Sequence, residues 1–320
     1  MSVTVVGSIA FDAVKTPFGE RERMLGGAAT HFALAASFFD EVHVVGPVGG
    51  DFGDQELAVL ATRGTDVSDV ERHPEGSTFF WAGEYGWDLN SRTTLDTQLN
   101  VFAEFAPKLS DASRSSEVLF LANIQPELQR DVLEQCRPSF AALDSMDLWI
   151  ETARDALVDV IARIDCLILN DAELRQLTQQ PNLVSAAREI LGWGPSIVVA
   201  KQGEYGAALV TADAFFALPA YPLETVVDPT GAGDTFAGGF VGYLAGRLDR
   251  VGDHRELRRA MAYGTALASF NVEEFGTERV ARLLEPEIDA RVAELAEMTR
   301  LDLTPGATWP AGRTLHPAAS

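Results

Sequence analysis

Short apolar segments that favour β-strands alternate with helical segments along most of this chain. Val3–Val6 and Val42–Gly46 are typical of buried strands, and between them a glycine pair opens a helix over Gly26–Phe39. The alternation returns after residue 118 and includes a single predicted helix over Glu151–Ile164. Strands that alternate with helices predict a mostly parallel sheet with helices packed on its faces, so the expected fold class is α/β.

The size and composition of the chain favour one large domain. It has 320 residues, of which 47% are hydrophobic, and this is enough apolar material for a substantial core. We expect this domain to cover residues 1–304. Residues 305–320 show no apolar periodicity and are expected to form a C-terminal tail.

One stretch, Ser77–Phe105, departs from the alternation. Its two halves are rich in aromatic and β-branched residues, and the Gly-Trp-Asp-Leu-Asn between them has the character of a turn. The pattern predicts a hairpin that, together with residues from about 11–24, forms a small β lid inserted into the domain. The alternative is an edge hairpin with no role in gating. The aromatic residues expected to line the lid, or to form a small core within it, are Phe11, Phe79, Trp81 and Phe102.

The charge balance excludes several classes of partner. Lysine and arginine number 25 and aspartate and glutamate 47, which gives a formal charge of −22. Such an acidic surface argues against non-specific binding to nucleic acids or anionic membranes, although one helix N-terminus or metal ion can still bind a small anion. Two cysteines are too few for a disulfide framework, and neither a signal peptide nor a membrane span is recognisable. We therefore expect a cytoplasmic protein with small-molecule ligands.

The strongest chemical signal is the loop at residues 228–240, Asp-Pro-Thr-Gly-Ala-Gly-Asp-Thr-Phe-Ala-Gly-Gly-Phe. Its glycines open directly onto an apolar helix, so the amides of Gly231, Ala232 and Gly233 are expected to face an anion at the helix N-terminus. The absent side chains let a phosphate approach the backbone. Asp234 follows in the first turn, where a carboxylate can act as the base for a hydroxyl nucleophile. The alternative is an ordinary first-turn carboxylate that complements the helix dipole.

This loop resembles the signature of the ribokinase (PfkB) family of sugar and nucleoside kinases, which reads D-x-T-G-A-G-D before a helix. Weaker agreement extends from Val3 to roughly Thr277. The resemblance implies a ribokinase-like three-layer α/β/α fold with a mostly parallel central sheet and a small β lid. It also implies that Asp234 takes the proton of the acceptor hydroxyl, while the three preceding amides form an anion hole for the transferred phosphoryl group.

The resemblance further implies a monovalent cation beside this loop. Asp228 and the carbonyl group of Thr230 match the expected ligands, and the later segment 275–277 would close the site. The cation expected there is K⁺. Thr230 and Gly276 are also counted among the expected nucleotide contacts.

A second motif, Asn170-Asp171-Ala172-Glu173, lies where a predicted strand enters a helix. It matches the N-x-x-E element of the family, which implies that Asn170 and Glu173 organise Mg²⁺ through water. The alternative is a capping pair, because asparagine followed three residues later by glutamate is common helix punctuation. Apart from Asp12, Asp234 and Glu173, the other carboxylates are expected on a solvated face.

A third segment, residues 201–206, follows a buried strand. Gly203 and Gly206 match a G-x-x-G turn that runs along the nucleotide in the family, although a plain hairpin turn is the alternative. Lys201 ends the strand, where α/β proteins bind ligands, so it is either a phosphate contact or a surface lysine.

The acceptor side is expected in the N-terminal part of the chain. Asp12 follows the first strand, as does the family aspartate that binds substrate hydroxyls, and Gly26 and Gly27 match its paired glycines. His31 stands where ribokinase-like members commonly carry asparagine. It is therefore a hydroxyl donor or a satisfied helix histidine.

Together with these motifs, the resemblance implies an ATP- and Mg²⁺-dependent kinase that transfers the γ-phosphoryl group to a hydroxyl of a sugar. Three alternatives remain open: a nucleoside kinase of the same family, a non-catalytic sugar or nucleotide sensor on this scaffold, and a kinase that uses ADP as donor. A protruding lid also allows a homodimer in which two lids pair.

Overall fold

The computed structural model describes residues 1–300. Within this range it has thirteen strands: β1 (Ser2–Val6), β2 (Ala10–Thr16), β3 (Gly19–Gly26), β4 (Glu41–Gly49), β5 (Val70–His73), β6 (Phe79–Tyr85), β7 (Arg92–Gln98), β8 (Val118–Leu121), β9 (Phe140–Leu143), β10 (Cys166–Asn170), β11 (Ile197–Lys201), β12 (Ala207–Val210) and β13 (Phe215–Leu218).

The same range has twelve α-helices: α1 (Ala28–Ala36), α2 (Asp54–Leu60), α3 (Asp111–Arg114), α4 (Pro126–Gln135), α5 (Asp147–Thr152), α6 (Arg154–Ile161), α7 (Asp171–Thr178), α8 (Leu183–Leu191), α9 (Ala232–Ala245), α10 (His254–Asn271), α11 (Glu278–Ala281) and α12 (Glu285–Met298). Between residues 1 and 300, no helix is long and apolar enough to cross a membrane.

Nine of these strands form a central sheet in the order β13-β12-β11-β10-β9-β8-β1-β4-β5. The seven strands at one side of this order, β11, β10, β9, β8, β1, β4 and β5, are parallel to one another. The other two, β12 and β13, extend the sheet with antiparallel pairing. The residues of β1 beyond Ser2 are buried, as expected for a strand covered on both faces. The chain reverses its direction of winding beside β1, and the carboxyl ends at such a point form a ligand-binding crevice.

Helices cover both faces of the sheet and so produce three layers. One face packs against α1, α9 and α10, with the rings of Phe32 and Phe120 stacked 4.1 Å apart, and the other packs against α4, α6, α7 and α8. Glycines allow the helices of the first face to approach closely. A Cβ atom at Gly238 would lie 2.3 Å from the carbonyl oxygen of Phe32, so α9 and α1 are in backbone contact. This contact holds the N-terminus of α9 near the end of β1.

The remaining strands form a separate four-stranded sheet in the order β3-β2-β6-β7. β2 and β6 run parallel in its centre, and β3 and β7 pair antiparallel on either side. The hairpin predicted within Ser77–Phe105 is therefore present as β6 and β7. Phe79, Phe102 and Phe105 pack together at 5.6 and 5.5 Å between ring centres, which makes them a small core beneath the sheet.

Two local predictions are wrong. The single helix expected over Glu151–Ile164 is split into α5 and α6, because Ala153 has φ −139° and ψ 33°, outside the helical region. The break lets the guanidinium of Arg154 donate to the carbonyl oxygen of Leu177 at 2.9 Å. Strand β5 was not predicted at all, and it is an edge strand of four partly exposed residues. The predicted tail, residues 305–320, lies outside the described residues.

Candidate active site

The glycine loop leads into α9 as expected. Gly231 is the residue before the helix and has φ +73°, a left-handed conformation that glycine adopts without strain. The amides of Gly231 and Gly233 donate to no acceptor within residues 1–300, whereas the amide of Ala232 donates to the carbonyl oxygen of Pro229 at 3.2 Å. The loop therefore offers two open amides at a helix N-terminus, where the helix dipole favours an anion.

Asp234 stands in the first turn of α9, half-buried. Burial raises the pKa of its carboxyl group, and the charges of Lys201 and Arg92 oppose that rise. A carboxylate whose pKa is raised binds a proton more readily than an exposed aspartate.

His31 lies beneath this loop. A Cβ atom at Gly231 would be 2.3 Å from the imidazole Cε1, so the ring supports the backbone at that point. Its Nδ1 is 3.0 Å from Oδ1 of Asn271, and burial lowers the pKa of His31 to about 4. The ring is neutral, 2% of the residue is exposed, and the protein satisfies Nδ1. Nε2 is buried and has no hydrogen-bond partner within the described residues, so the hydroxyl donor and the helix histidine both stay predictions.

Asp12 and the glycine pair lie together on the lid side of the site. Asp12 is 5% exposed, and a Cβ atom at Gly26 would lie 1.9 Å from its Oδ2, so only glycine leaves room for this carboxylate. Burial, followed by the nearby charges of Asp228 and Asp234, raises the pKa of Asp12 to about 7. Gly27 has φ +95°, and a Cβ atom there would meet the carbonyl oxygen of Ser8 at 2.4 Å.

Lys201 lies within the site and is not a surface lysine. Its Nζ is 2.6 Å from Oδ2 of Asp144, and their side chains are 18% and 5% exposed. A Cβ atom at Gly233 would lie 2.9 Å from Nζ, so the ammonium group reaches the glycine loop. Burial lowers the pKa of Lys201, but the carboxylates of Asp144, Glu173 and Asp234 more than offset this and raise it.

Asn170 and Glu173 form a capping box at the start of α7. Oδ1 of Asn170 accepts from the amide of Glu173 at 2.8 Å, and Oε2 of Glu173 accepts from the amide of Asn170 at 2.9 Å. Burial and the nearby Asp144 raise the pKa of Glu173 to about 7, although Lys201 opposes the rise. The three carboxylates of Asp144, Glu173 and Asp234 thus share one lysine.

Within residues 1–300, no group of three or more His, Cys, Asp or Glu side chains could hold a metal ion. Mg²⁺ commonly takes one or two carboxylates and completes its coordination with water and substrate phosphates. Glu173 fits that arrangement, because its Oε1 accepts no hydrogen bond from residues 1–300.

Asp228 is fully buried beside the loop. Its Oδ1 accepts from the amide of Thr230 at 2.9 Å and its Oδ2 from the amide of Gly276 at 3.0 Å. The carbonyl oxygen of Thr230 accepts from Nδ2 of Asn271 at 2.7 Å. The segment around Gly276 thus meets Asp228 as expected. However, it does so through an amide. Each oxygen expected to bind K⁺ accepts one protein hydrogen bond, which leaves one lone pair for a cation.

Gly203 and Gly206 belong to the turn that joins β11 and β12. Both have positive φ, +57° and +95°, and the amide of Gln202 donates to the carbonyl oxygen of Gly206 at 2.8 Å. The segment is therefore a hairpin turn, and its contact with a nucleotide stays a prediction. The turn lies one residue beyond Lys201, at the same edge of the sheet.

The β6–β7 hairpin of the lid contacts both sides of this site. The hydroxyl of Tyr85 is 3.2 Å from Oγ1 of Thr230, and Nδ2 of Asn90 donates to Oε1 of Glu204 at 3.1 Å. Arg92 is paired with Tyr85 across the hairpin. The lid is therefore closed over the loop and reaches the turn at residues 202–206.

Sequence analysis missed three residues of the site: Asp144, Tyr85 and Asn271. Asp144 was expected on a solvated face, which is wrong, since it is 4% exposed and paired with Lys201. Its position directly after β9 was an available signal, because polar residues at the carboxyl ends of parallel strands face the crevice.

A cytidine kinase from Thermococcus kodakarensis is 31% identical over 254 residues, which cover 77% of this chain and 90% of the relative. The lid, the glycine loop and this likeness define a phosphotransferase that uses an alcohol group as acceptor. The model of the pfkB family carbohydrate kinases matches residues 2–282, and the chain belongs to that family.

Two solved structures share the fold. The nucleoside kinase of Burkholderia thailandensis in complex with inosine has a TM-score of 0.74 at 21% identity, covering 91% of this chain and 97% of its own. The aminoimidazole riboside kinase of Salmonella enterica, with its riboside and an ATP analogue, has a TM-score of 0.70 at 21% identity, covering 91% and 100%. The prediction of a ribokinase-like three-layer fold with a mostly parallel sheet and a small lid is confirmed.

Proposed function

We propose that the protein is a Mg²⁺- and ATP-dependent kinase in which Asp234 is the base and the 231–233 backbone is the anion hole. The observation that carries this proposal is the juxtaposition of two open amides, on Gly231 and Gly233, with the half-buried carboxylate of Asp234. Phosphoryl transfer needs such positioned donors for the migrating group and a base for the incoming hydroxyl.

In the proposed step, the acceptor oxygen attacks the γ-phosphorus while Asp234 takes the hydroxyl proton. The bond from the γ-phosphorus to the bridging oxygen breaks, and ADP leaves with that electron pair. The open amides and the ammonium group of Lys201 face the negative charge of the transferring group. Asn170 and Glu173 would hold Mg²⁺ through water, and the ion would neutralise charge on the donor phosphates.

We propose a nucleoside as the acceptor. Asp12 and Trp81 are direct partners in the register of β2 and β6, so a carboxylate and an indole lie side by side on one face of the lid. The carboxylate suits the hydroxyls of a ribose, and an aromatic ring suits a planar base. The cytidine kinase among the relatives points the same way.

A free sugar is the second candidate, since the family description is that of carbohydrate kinases. The two candidates separate in an acceptor panel with ATP, Mg²⁺ and K⁺ that contains cytidine, adenosine, inosine, ribose, fructose and myo-inositol. A nucleoside is expected to have the highest kcat/KM. Higher values for ribose or fructose would favour the sugar, and binding without turnover on every acceptor would favour a sensor. Replacing ATP with ADP in the same panel tests the donor.

The role of Asp234 is tested by Asp234→Asn, with Asp155→Asn as the matched control. Asp155 is also a first-turn helix carboxylate, but it is exposed and remote from the loop. Loss of the base is expected to lower kcat by about 10²–10⁴ while ATP binding is kept. Equal kcat values in the wild type and Asp234→Asn would contradict this role.

Two further proposals concern ions and assembly. Asp228 is proposed to bind K⁺ with the carbonyl group of Thr230, and replacing K⁺ with tetramethylammonium tests this through the KM for ATP.

Pairing of two lids is proposed for the homodimer, because β7 is exposed along its whole length. Sedimentation of the full chain tests that pairing.

A further inference from the structure

Thr230, the residue before the anion hole, is held by three different parts of the protein. Its amide donates to Oδ1 of Asp228 at 2.9 Å, and its carbonyl oxygen accepts from Nδ2 of Asn271 at 2.7 Å. Its hydroxyl meets the hydroxyl of Tyr85 at 3.2 Å. The first two contacts come from the main domain, and only the third comes from the lid.

The two contacts within the main domain lie in the core. Asp228 and Asn271 are fully buried. Oδ1 of Asn271 also accepts a hydrogen bond from the hydroxyl of Thr235 in α9 at 3.1 Å. The contact with Tyr85 is different, because it exists only while the lid lies over the loop. The phenol is mostly withdrawn from solvent, and burial raises the pKa of Tyr85, so it remains a neutral hydrogen-bonding group.

We propose that Tyr85 is a positioning residue that couples lid closure to the geometry of the anion hole. This proposal rests on the proposed function, because it assigns the loop at 231–233 to phosphoryl transfer. When the acceptor closes the lid, the hydroxyl of Tyr85 engages the side chain of Thr230. This third hydrogen bond then restrains Thr230, the residue before Gly231. The open amides of Gly231 and Gly233 take their final direction as a result.

This coupling has a physical purpose. An anion hole that is complete before the acceptor arrives would also promote transfer of the phosphoryl group to water. A loop that reaches its final geometry only under the closed lid reserves the transfer for the bound alcohol, because closure excludes water at the same moment.

The test is Tyr85→Phe, which removes one hydroxyl and keeps the aromatic ring. We expect kcat for acceptor phosphorylation to fall about 5- to 10-fold, the effect of one lost hydrogen bond in the transition state. The KM values for ATP and acceptor should stay within about twofold of the wild type, because Tyr85 acts through the loop. Asn90→Ala is the matched control, since it removes another contact of the β6–β7 hairpin, an exposed one with Glu204, and should leave kcat unchanged.

A double-mutant cycle with Thr230→Val identifies the contact itself. If the two hydroxyls act together, Tyr85→Phe in the Thr230→Val background should have little further effect on kcat. Independent, multiplicative losses would overturn the proposal. So would a kcat of Tyr85→Phe equal to that of the wild type.

A second measurement does not depend on turnover. Hydrogen exchange of the 228–234 amides should slow when the acceptor binds the wild type, and this protection should be lost in Tyr85→Phe. Equal protection in both proteins would overturn the coupling. A wild type that phosphorylates no acceptor would overturn the proposed function, whereas an active wild type with an equally active Tyr85→Phe would overturn the coupling alone.

Discussion

Replacing Lys201 with methionine should destabilise the protein in a way that depends on pH. Lys201 is the ammonium group among the carboxylates of Asp144, Glu173 and Asp234, with Nζ 2.6 Å from Asp144. Methionine keeps the length of the apolar stem but leaves these carboxylates without their cation. Removing one partner of a buried pair typically costs about 3–5 kcal/mol, because the other charge stays buried and unpaired.

The sign of the pH dependence follows from the raised pKa values. Burial raises the pKa of Asp144, and it raises the pKa of Glu173 to about 7, while Lys201 opposes both shifts. Without Lys201 these pKa values rise further in the folded state, which then binds more protons than the unfolded chain. The stability of Lys201→Met therefore increases as the pH falls through the pKa values of the folded state. Its loss of stability relative to the wild type is largest above pH 7.

The assay is thermal unfolding at pH 8 and pH 6 in buffer without Mg²⁺. At pH 8 the variant should unfold about 4–8 °C below the wild type, from an unfolding entropy of about 2.1 cal/mol/K per residue over a chain of this length. At pH 6 the gap should shrink. Mg²⁺ should stabilise the variant more than the wild type, because the carboxylates then face a cation again.

Two controls make this result specific. Lys108→Met replaces an exposed lysine and should leave Tm unchanged. The double variant Asp144→Asn/Lys201→Met removes both charges of the pair and should recover part of the lost stability. A gap that is absent at pH 8, or that is equal at both pH values, would refute the reasoning.

Three shorter predictions concern the acceptor and the glycines. Because the pKa of Asp12 is about 7, its carboxylate is protonated as the pH falls, so acceptor KM should rise about tenfold from pH 8 to pH 6. The variant Asp12→Asn should lose this pH dependence. Gly231→Ala should lower kcat by about 10², since its Cβ would lie 2.3 Å from the imidazole below it and misplace the loop. Gly252→Ala, which meets nothing within 4 Å, is its control. Gly238→Ala should lower the free energy of unfolding in urea by about 1–3 kcal/mol, because its Cβ would lie 2.3 Å from a carbonyl oxygen of α1.

The parts of the site that could be predicted from sequence are those whose geometry is local. The loop at 228–234 carries its own glycines and its own helix start, so its amides and Asp234 were identified as one unit. Asn170 and Glu173 likewise cap one helix between themselves. Lys201 was identified because it ends a buried strand, and the carboxyl ends of such strands share one edge of the sheet.

The parts that could not be predicted depend on partners that are distant in sequence. Lys201 and Asp144 are 57 residues apart, Tyr85 and Thr230 are 145 apart, and His31 and Asn271 are 240 apart. Each pair requires the register of a sheet or the packing of two helices, and neither is visible in the local pattern. His31 shows the consequence, because nothing in its position beside the glycine pair indicates that Asn271 of α10 would hold its ring under the loop.

The distant pairs have a common effect on the local motif. A glycine loop alone is flexible, and two open amides point in a defined direction only if the residues around them are restrained. His31 supports Gly231 from below, Asn271 and Asp228 hold Thr230 from the core, and Tyr85 reaches it from the lid. The signature therefore supplies the donors, while the fold supplies their direction. A chain with the same loop but without these supports should bind an anion but should transfer a phosphoryl group only slowly. Binding tolerates a mobile hydrogen-bond donor, whereas stabilisation of the transition state does not.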